Sequence, residues 1–150
     1  MVVLKDSIKI EKPPEIVYEW FHHFVENYKS WHIKDHILAK WIKGGNFEEG
    51  SILYSEEYIG GKLEKMSAKT IKNVKNRMLE YRFLFPTSMI CSGGSFNFEP
   101  SNSGSVFTAK LDFRFGKVLS KIYSSRFNAI KTHMKEEGEN LKRLLEKKNE

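Results

Sequence analysis

The most regular hydrophobic pattern of the chain lies near its end, where apolar residues recur at helical spacing across residues 117–148. At about 100° per residue, these positions share one face of a long amphipathic helix. That face comprises Leu119, Ile122, Tyr123, Phe127, Ile130, Met134, Leu141, Leu144 and Leu145. His133 and Glu137 fall on the same face, one turn apart, so both are predicted to point toward the core. They need partners there, because an unpaired buried charge is costly.

The beginning of the chain predicts a strand followed by two helices. Residues 7–10 alternate between polar and apolar side chains, which is typical of a short strand. Pro14 suits the first turn of a helix, and apolar residues at helical spacing predict that this helix covers residues 15–27. Residues 31–40 are predicted as a second, shorter helix, with Ile37, Leu38 and Trp41 as its apolar contacts.

From residue 51 the hydrophobic period changes from helical to alternating, which predicts a run of antiparallel strands. The predicted strands cover residues 51–59, 62–74, 79–85, 89–98 and 107–115. Gly60-Gly61 is predicted as a hairpin turn, and Gly93-Gly94 as a bulge or a close backbone approach. The fold class is therefore α+β, with a curved antiparallel sheet of about seven strands wrapped around the long C-terminal helix and two short helices after the first strand.

Composition favours one folded domain with a substantial core. The 150 residues are 40% hydrophobic and 13% aromatic, and they show neither an internal repeat nor a linker. No apolar run of about 20 residues is present, so no membrane span is predicted. The N-terminal residues do not resemble a signal peptide. The single cysteine, Cys91, excludes an internal disulfide and indicates the cytoplasm; it is interpreted as a packing residue and not as a nucleophile.

The formal net charge of +6 permits contact with nucleic acid. The lysines are nevertheless spread along the chain among acidic residues, so nucleic acid is not predicted as a partner. The expected partner is a small aromatic or hydrophobic molecule, held in a cavity between the concave face of the sheet and the long helix. A homodimer is compatible with the sequence, and the oligomeric state stays open.

Three clusters of imidazole and carboxylate groups could face this cavity. One is the pair on the last helix, and the others are His32 and His36 with Asp35 between them, and Glu56-Glu57. Side chains alternate across a strand, so only one of the two adjacent glutamates can face inward. Histidine and carboxylate are the ligands of zinc, iron and manganese sites. The residues alone leave open which histidine and which glutamate would take part.

Each cluster also has an explanation without a metal. The histidines of the second cluster could be ordinary surface or core residues, and the two glutamates could form a charged sheet edge. On the last helix, His133 could form a buried ion pair with Glu137, or the Glu137 carboxylate could pair with Lys62 or Arg82. The metal is favoured because one divalent cation would balance two buried carboxylates.

The order of elements resembles the START-like, Bet v 1-like helix-grip superfamily, also called SRPBCC. A narrower resemblance rests on Tyr28-Lys-Ser-Trp-His-Ile-Lys-Asp-His36, on Glu57 before Ile59-Gly60-Gly61, and on His133-x-x-x-Glu137. These segments are similar to those of the diacetylphloroglucinol and phloretin hydrolase family. Those enzymes use zinc to cleave a carbon–carbon bond between an acyl group and a phenolic ring.

The resemblance implies four metal ligands and one catalytic residue. The ligands would be His36, Glu57, His133 and Glu137, and the ion would be Zn²⁺, with Fe²⁺ or Mn²⁺ as alternatives. Tyr28 would contact the substrate; Tyr54, Tyr58 and Tyr81 are further tyrosines expected near the cavity. The implied function is a metal-dependent hydrolase acting on a small acylphenol-type substrate. A non-catalytic carrier of small hydrophobic ligands with a structural metal is the alternative, and a nucleic-acid-associated protein is a weaker third.

Overall fold

The computed structural model of the protein describes residues 2–114, 116, 121 and 124–147. Within them, seven strands and three helices follow one another in the order predicted for the fold class. The elements are β1 Val2–Ile10, α1 Pro14–His22, α2 Phe24–Trp31, β2 His36–Lys43, β3 Ile52–Ile59, β4 Lys62–Val74, β5 Met78–Phe83, β6 Cys91–Ser101, β7 Gly104–Phe113 and α3 Ser124–Glu146. A short 3-10 turn, Thr87–Met89, precedes β6.

The strands form one antiparallel sheet in the order β1-β7-β6-β5-β4-β3-β2. Helix α3 packs mainly against β1 and also contacts β3 and β7, while α1 and α2 pack against β6, β7 and β2. The curved sheet therefore encloses the C-terminal helix, and the predicted helix-grip fold is confirmed. No helix in the described part of the chain is both long enough and apolar enough to cross a membrane.

The helix predicted over residues 15–27 is two helices. Its backbone breaks at His23, where φ is −105° and ψ is 31°, and α2 begins at the next residue. Pro14 occupies the first turn of α1, as predicted. The buried faces of the two helices, through Phe21 and Trp31, join a large aromatic core. After this break, α2 packs against the edge strand β2.

The prediction of a helix over residues 31–40 is wrong. Helix α2 ends at Trp31, residues 32–35 form a turn, and β2 runs over His36–Lys43. A short apolar run such as this fits either a helix or a strand, and pairing with a neighbouring strand decides between them. Here β2 pairs antiparallel with β3, which places His36 opposite Glu57.

The other strand predictions differ mainly at their ends. Strand β1 is longer than the predicted residues 7–10, because it pairs with β7 along its whole length from Val2 to Ile10. The predicted bulge at Gly93-Gly94 is present as a register shift between Cys91 and Gly93. Gly94 also lies in close contact with the backbone of Lys110, so a side chain there would clash.

The long closing helix is confirmed over Ser124–Glu146. Its buried residues, which include Phe127, His133, Met134 and Leu141, lie on the predicted face. The predicted positions Leu119, Ile122, Tyr123 and Lys148 lie outside the described residues.

Candidate metal centre

Four side chains from three elements converge between the sheet and α3. His36 begins β2, Glu57 lies opposite it in β3, and His133 and Glu137 follow one turn apart in α3. Each offers one ligand atom, and these atoms all lie within 4.8 Å of one another. Both histidines are 4% exposed, so the cluster is shielded from bulk water.

The structure separates the members of each pair that the sequence left open. His36 joins the cluster, whereas His32 lies beside it and faces Asp35. Glu57 points inward, whereas Glu56 accepts a hydrogen bond from the Tyr54 hydroxyl at 2.8 Å. Strand alternation explains why Glu57 and not Glu56 points inward. His36 and not His32 joins the cluster because the turn after α2 places His36 at the start of β2.

Each carboxylate contacts both imidazoles. His36 Nε2 lies 3.1 Å from Glu57 Oε2 and 3.0 Å from Glu137 Oε2. His133 Nε2 lies 3.3 Å and 3.5 Å from the same two oxygens. The two Nε2 atoms are 3.4 Å apart. The four groups thus surround one point in space instead of forming two separate ion pairs.

These distances fit a tetrahedral ion. Donor atoms about 2.0–2.1 Å from a tetrahedral zinc lie roughly 3.3 Å from one another. The distances between the histidine nitrogens and from them to the carboxylate oxygens range from 3.0 to 3.5 Å. Two imidazoles and two carboxylates are also a donor set that zinc accepts. The residues present therefore fit a divalent metal ion.

The other ring nitrogen of each histidine has its own partner. His36 Nδ1 lies 2.8 Å from the carbonyl oxygen of Tyr28, which can only accept a hydrogen bond. His133 Nδ1 lies 3.2 Å from Asp35 Oδ2. These partners place the Nδ1 proton outward and leave Nε2 free to bind an ion, which is the usual arrangement of metal-binding histidines. Trp31 Nε1–H donates to the carbonyl oxygen of Glu137 at 2.9 Å and so fixes α3 here.

The pKa values of these side chains reflect the same contacts. Burial alone would lower the pKa of both histidines, but the hydrogen bonds and charges of Glu137 and Glu57 outweigh it. The pKa of His36 is raised to about 9 and that of His133 to about 11. Conversely, burial would raise the pKa of Glu57, and the two histidines lower it below its usual range.

An ion-paired cluster without metal is the competing explanation. It would balance the charges, but it would also bring two imidazolium N–H groups face to face with their nitrogens 3.4 Å apart. A metal removes that repulsion, because both Nε2 atoms then lack a proton. Neither basic residue pairs with this cluster: Lys62 lines the cavity but pairs with Glu64, and Arg82 is exposed.

The cluster opens onto a cavity of about 720 Å³ between the sheet and α3. Glu57, His133 and Glu137 line it, and most of its remaining wall is apolar and aromatic. Tyr81 also lines it, and its hydroxyl has no hydrogen-bond partner within residues 2–114 and 124–147. A cavity of this size suits a small organic molecule.

Tyr28 lies between the cavity and the cluster. Its hydroxyl donates to Glu57 Oε2 at 2.9 Å, and its ring stacks on His36 with centroids 4.1 Å apart. Burial and the neighbouring carboxylates raise its pKa far above the ordinary value, so the phenol stays protonated. Tyr28 therefore holds Glu57 in place, and its predicted contact with a substrate stays a prediction. Tyr58 is partly exposed and does not line the cavity.

Two residues support the cluster in ways that the sequence pattern did not predict. Asp35 is marked only by its position between two histidines, yet it contacts His133. Trp31 carries no polar signal in the pattern, yet its indole N–H bonds the backbone of α3. The spacing of Asp35, three residues after His32 and one before His36, is the only local signal.

Cys91 provides a probe of the cavity wall. Burial raises the pKa of its thiol to about 11. Only the thiolate reacts with alkylating reagents, so iodoacetamide is expected to label Cys91 more slowly than free cysteine at about pH 8. The rate should keep rising toward about pH 11, which mass spectrometry of the single-cysteine protein can follow. A plateau near the ordinary thiol pKa of about 8.5 would contradict this.

Comparisons with known proteins identify the fold. No protein-family model and no curated protein sequence matches the chain. Among solved structures, protein TTHA0849 of Thermus thermophilus has a TM-score of 0.72 at 14% identity, covering 96% of this chain and 97% of that one. Norcoclaurine synthase of Thalictrum flavum has a TM-score of 0.70 at 11% identity, covering 99% and 89%.

Major latex-like protein 151 of Panax ginseng is similar over 89% of this chain and 97% of its own, with a TM-score of 0.63 and 12% identity. At such identities the likeness extends to the fold alone, which is that of Bet v 1-like proteins.

Proposed function

We propose that the protein is a metal-dependent hydrolase, with Zn²⁺ held by His36, Glu57, His133 and Glu137. Its substrate would be a small acylphenol-type molecule bound in the cavity under α3, and cleavage of a carbon–carbon bond is the expected reaction. The proposal combines the resemblance carried by the sequence motifs with the geometry of the site.

The observation that carries the metal is the convergence of four donor atoms at tetrahedral spacing. Both imidazoles are oriented by outer partners, and both carboxylate oxygens are shared between them. The observation that favours catalysis is the position of this cluster in the cavity wall, where Glu57, His133 and Glu137 face the enclosed space. A ligand in the cavity could therefore reach the ion directly.

The residues around the cavity define what they could do to such a ligand. A bound divalent ion would supply Lewis acidity toward a carbonyl oxygen. Tyr28 keeps Glu57 oriented, because its hydroxyl is committed to that carboxylate. Tyr81 offers a hydroxyl that no described residue occupies, so it is the available donor for a second oxygen of the substrate. Its pKa is raised by burial and by nearby negative groups, so the hydroxyl keeps its proton and can donate a hydrogen bond.

The shape and lining of the cavity favour an aromatic substrate. Phe24, Phe47, Phe83 and Phe96 are among the rings that line it. Aromatic walls bind a flat ring through stacked and edge contacts. Norcoclaurine synthase, which shares the fold, was solved in complex with dopamine and hydroxybenzaldehyde. That precedent supports a small phenolic ligand for this cavity as well.

A carrier of small hydrophobic molecules with a structural metal is the second candidate. One observation favours it: four protein donors converge, which would fill all four positions of a tetrahedral zinc ion, and structural zinc sites are usually closed in this way. Catalysis would require a fifth position on the cavity side of the ion. The two functions differ in whether a bound molecule is converted.

Turnover of an acylphloroglucinol by the zinc-loaded protein tests the proposal. We expect product detectable by liquid chromatography, loss of activity after treatment with a chelator, and recovery when zinc is restored. The matched sample is protein treated with chelator and zinc together, which controls for effects of the reagents on the fold. Tight binding without product would favour the carrier. A protein that takes up no divalent metal would refute both functions as stated.

A further inference from the structure

A buried histidine, His32, lies beside the proposed metal centre with one ring nitrogen that forms no hydrogen bond within the described residues. His32 is 5% exposed, and its Nε2 has no hydrogen-bond partner among the described residues. The nearest acidic oxygens are Asp35 Oδ2 at 3.4 Å and Glu136 Oε1 at 3.7 Å. A buried polar atom without a partner is uncommon and calls for an explanation.

Asp35 connects this histidine to the proposed metal ligand. The same oxygen, Asp35 Oδ2, lies 3.2 Å from His133 Nδ1. The rings of His32 and His133 are stacked, with centroids 5.0 Å apart and an angle of 16° between their planes. One carboxylate oxygen therefore faces a nitrogen on each of two parallel imidazoles.

The backbone of Asp35 is fixed from both sides. Its N–H donates toward His32 Nδ1 at 3.2 Å and toward the carbonyl oxygen of His32 at 3.1 Å. Its own carbonyl oxygen accepts the N–H of Tyr58 in β3 at 2.9 Å. The carboxylate thus belongs to a rigid turn, and not to a mobile surface loop.

Two arrangements could use this cluster: a second metal ion between His32, Asp35 and His133, or a hydrogen-bonded array that orients His133. The contact at His32 Nδ1 decides between them. Because Nδ1 accepts the N–H of Asp35, the proton of a neutral His32 lies on Nε2. A metal on Nε2 would move that proton to Nδ1, where it would meet the N–H of Asp35. The hydrogen-bonded array avoids this conflict.

We propose that Asp35 is a positioning residue for the metal centre and that His32 holds its carboxylate in place. The inference rests on the proposed metal at His133. Asp35 accepts the Nδ1 proton of His133, which keeps Nε2 unprotonated and aimed at the other three ligands. His32 donates its Nε2 proton to Asp35 when the 3.4 Å separation shortens slightly.

The two histidine ligands then differ in the partner of their outer nitrogen, Nδ1. His36 donates its outer proton to a neutral backbone carbonyl, whereas His133 donates to a carboxylate. A carboxylate partner raises the basicity of an imidazole and strengthens its bond to a metal. His133 would then be the stronger of the two ligands, and its strength would depend on Asp35.

The test compares zinc affinity in the full-length protein by competition with a chromophoric chelator. Asp35→Asn keeps the shape of the side chain and removes its charge, and we expect zinc to bind about 10- to 100-fold more weakly. His32→Gln keeps an N–H donor and should bind zinc nearly as the wild type does, whereas His32→Leu should weaken binding. Glu136→Gln is the matched control, because it removes a carboxylate near His32 that does not contact His133.

The outcomes separate this inference from the metal centre itself. The inference is overturned, while the metal centre stands, if Asp35→Asn binds zinc as tightly as the wild type. It is also overturned if Asp35→Asn weakens zinc binding no more than Glu136→Gln does. Two zinc ions per wild-type chain would overturn it in favour of a binuclear site. No zinc in the wild type would overturn the metal centre and the inference together. The absorption spectrum of the cobalt-substituted protein should change in Asp35→Asn and not in Glu136→Gln.

Discussion

The His133→Ala protein is expected to lose its divalent metal. Its affinity for zinc should fall by more than the roughly 10- to 100-fold loss that is typical when a residue hydrogen-bonded to a metal ligand is replaced. His133 Nε2 contacts both carboxylate oxygens and lies 3.4 Å from His36 Nε2. Its removal opens one side of the donor set and separates Asp35 from the cluster. Metal analysis of the purified protein and calorimetric titration with zinc measure the change. Hydrolytic activity should disappear with the metal.

The control for this experiment is His23→Ala. His23 is an exposed histidine beside Glu19 on the surface of the α1–α2 pair, so its removal should leave metal content and affinity unchanged. Circular dichroism spectra of both variants without metal show whether the fold is retained. Wild-type zinc affinity in a folded His133→Ala protein would contradict the proposed ligand set.

The Phe21→Ala substitution is expected to lower the free energy of unfolding by about 3–5 kcal/mol, which is typical of a buried phenylalanine truncated to alanine. Phe21 is 1% exposed and lies at the centre of the aromatic core. Its ring centroid lies 4.8–6.4 Å from those of Trp20, Phe24, Trp31, Phe47, Phe96, Phe98 and Phe107. Truncation would leave a cavity between α1 and the sheet. Urea denaturation followed by tryptophan fluorescence measures the loss.

The paired control is Ile33→Ala, because Ile33 is 83% exposed in the turn before β2. Its effect should stay within about 0.5 kcal/mol, as for most surface substitutions. A Phe21→Ala protein that loses less than about 1 kcal/mol would mean that α1 contributes little to the packed core.

The hydrophobic periodicity predicted the helices and strands that are determined by residues close together in the sequence. In α3, the spacing of Phe127, Met134 and Leu141 identified the buried face, and it placed His133 and Glu137 on that face before any partner was known. Strand β4 runs over Lys62–Val74 as predicted, since the glycines before it and the turn after it bound it clearly. In both cases the pattern that identifies the element is present in the residues of that element and its immediate neighbours.

The stretch after α2 shows where such reasoning fails. His36 and Trp41 lie in a segment whose short apolar pattern fits a helix nearly as well as a strand. The hydrogen bonds that make it a strand come from β3, a separate segment further along the chain. The role of Asp35 is hidden for the same reason, because its partner His133 is 98 residues away.

By itself, therefore, the sequence predicted most of the elements in order, with β2 mistaken for a helix, and it predicted the inward face of the last helix and the kinds of ligand available. A helix or strand pattern repeats over a few residues, so it can be recognised without knowing the fold. The resemblance had named His36 and Glu57 as partners of His133 and Glu137, but only the tertiary structure brings these four together and leaves His32 and Glu56 outside the group. That choice depends on the register of β2 against β3 and on the placement of α3 across the sheet, both of which arise from contacts between distant parts of the chain.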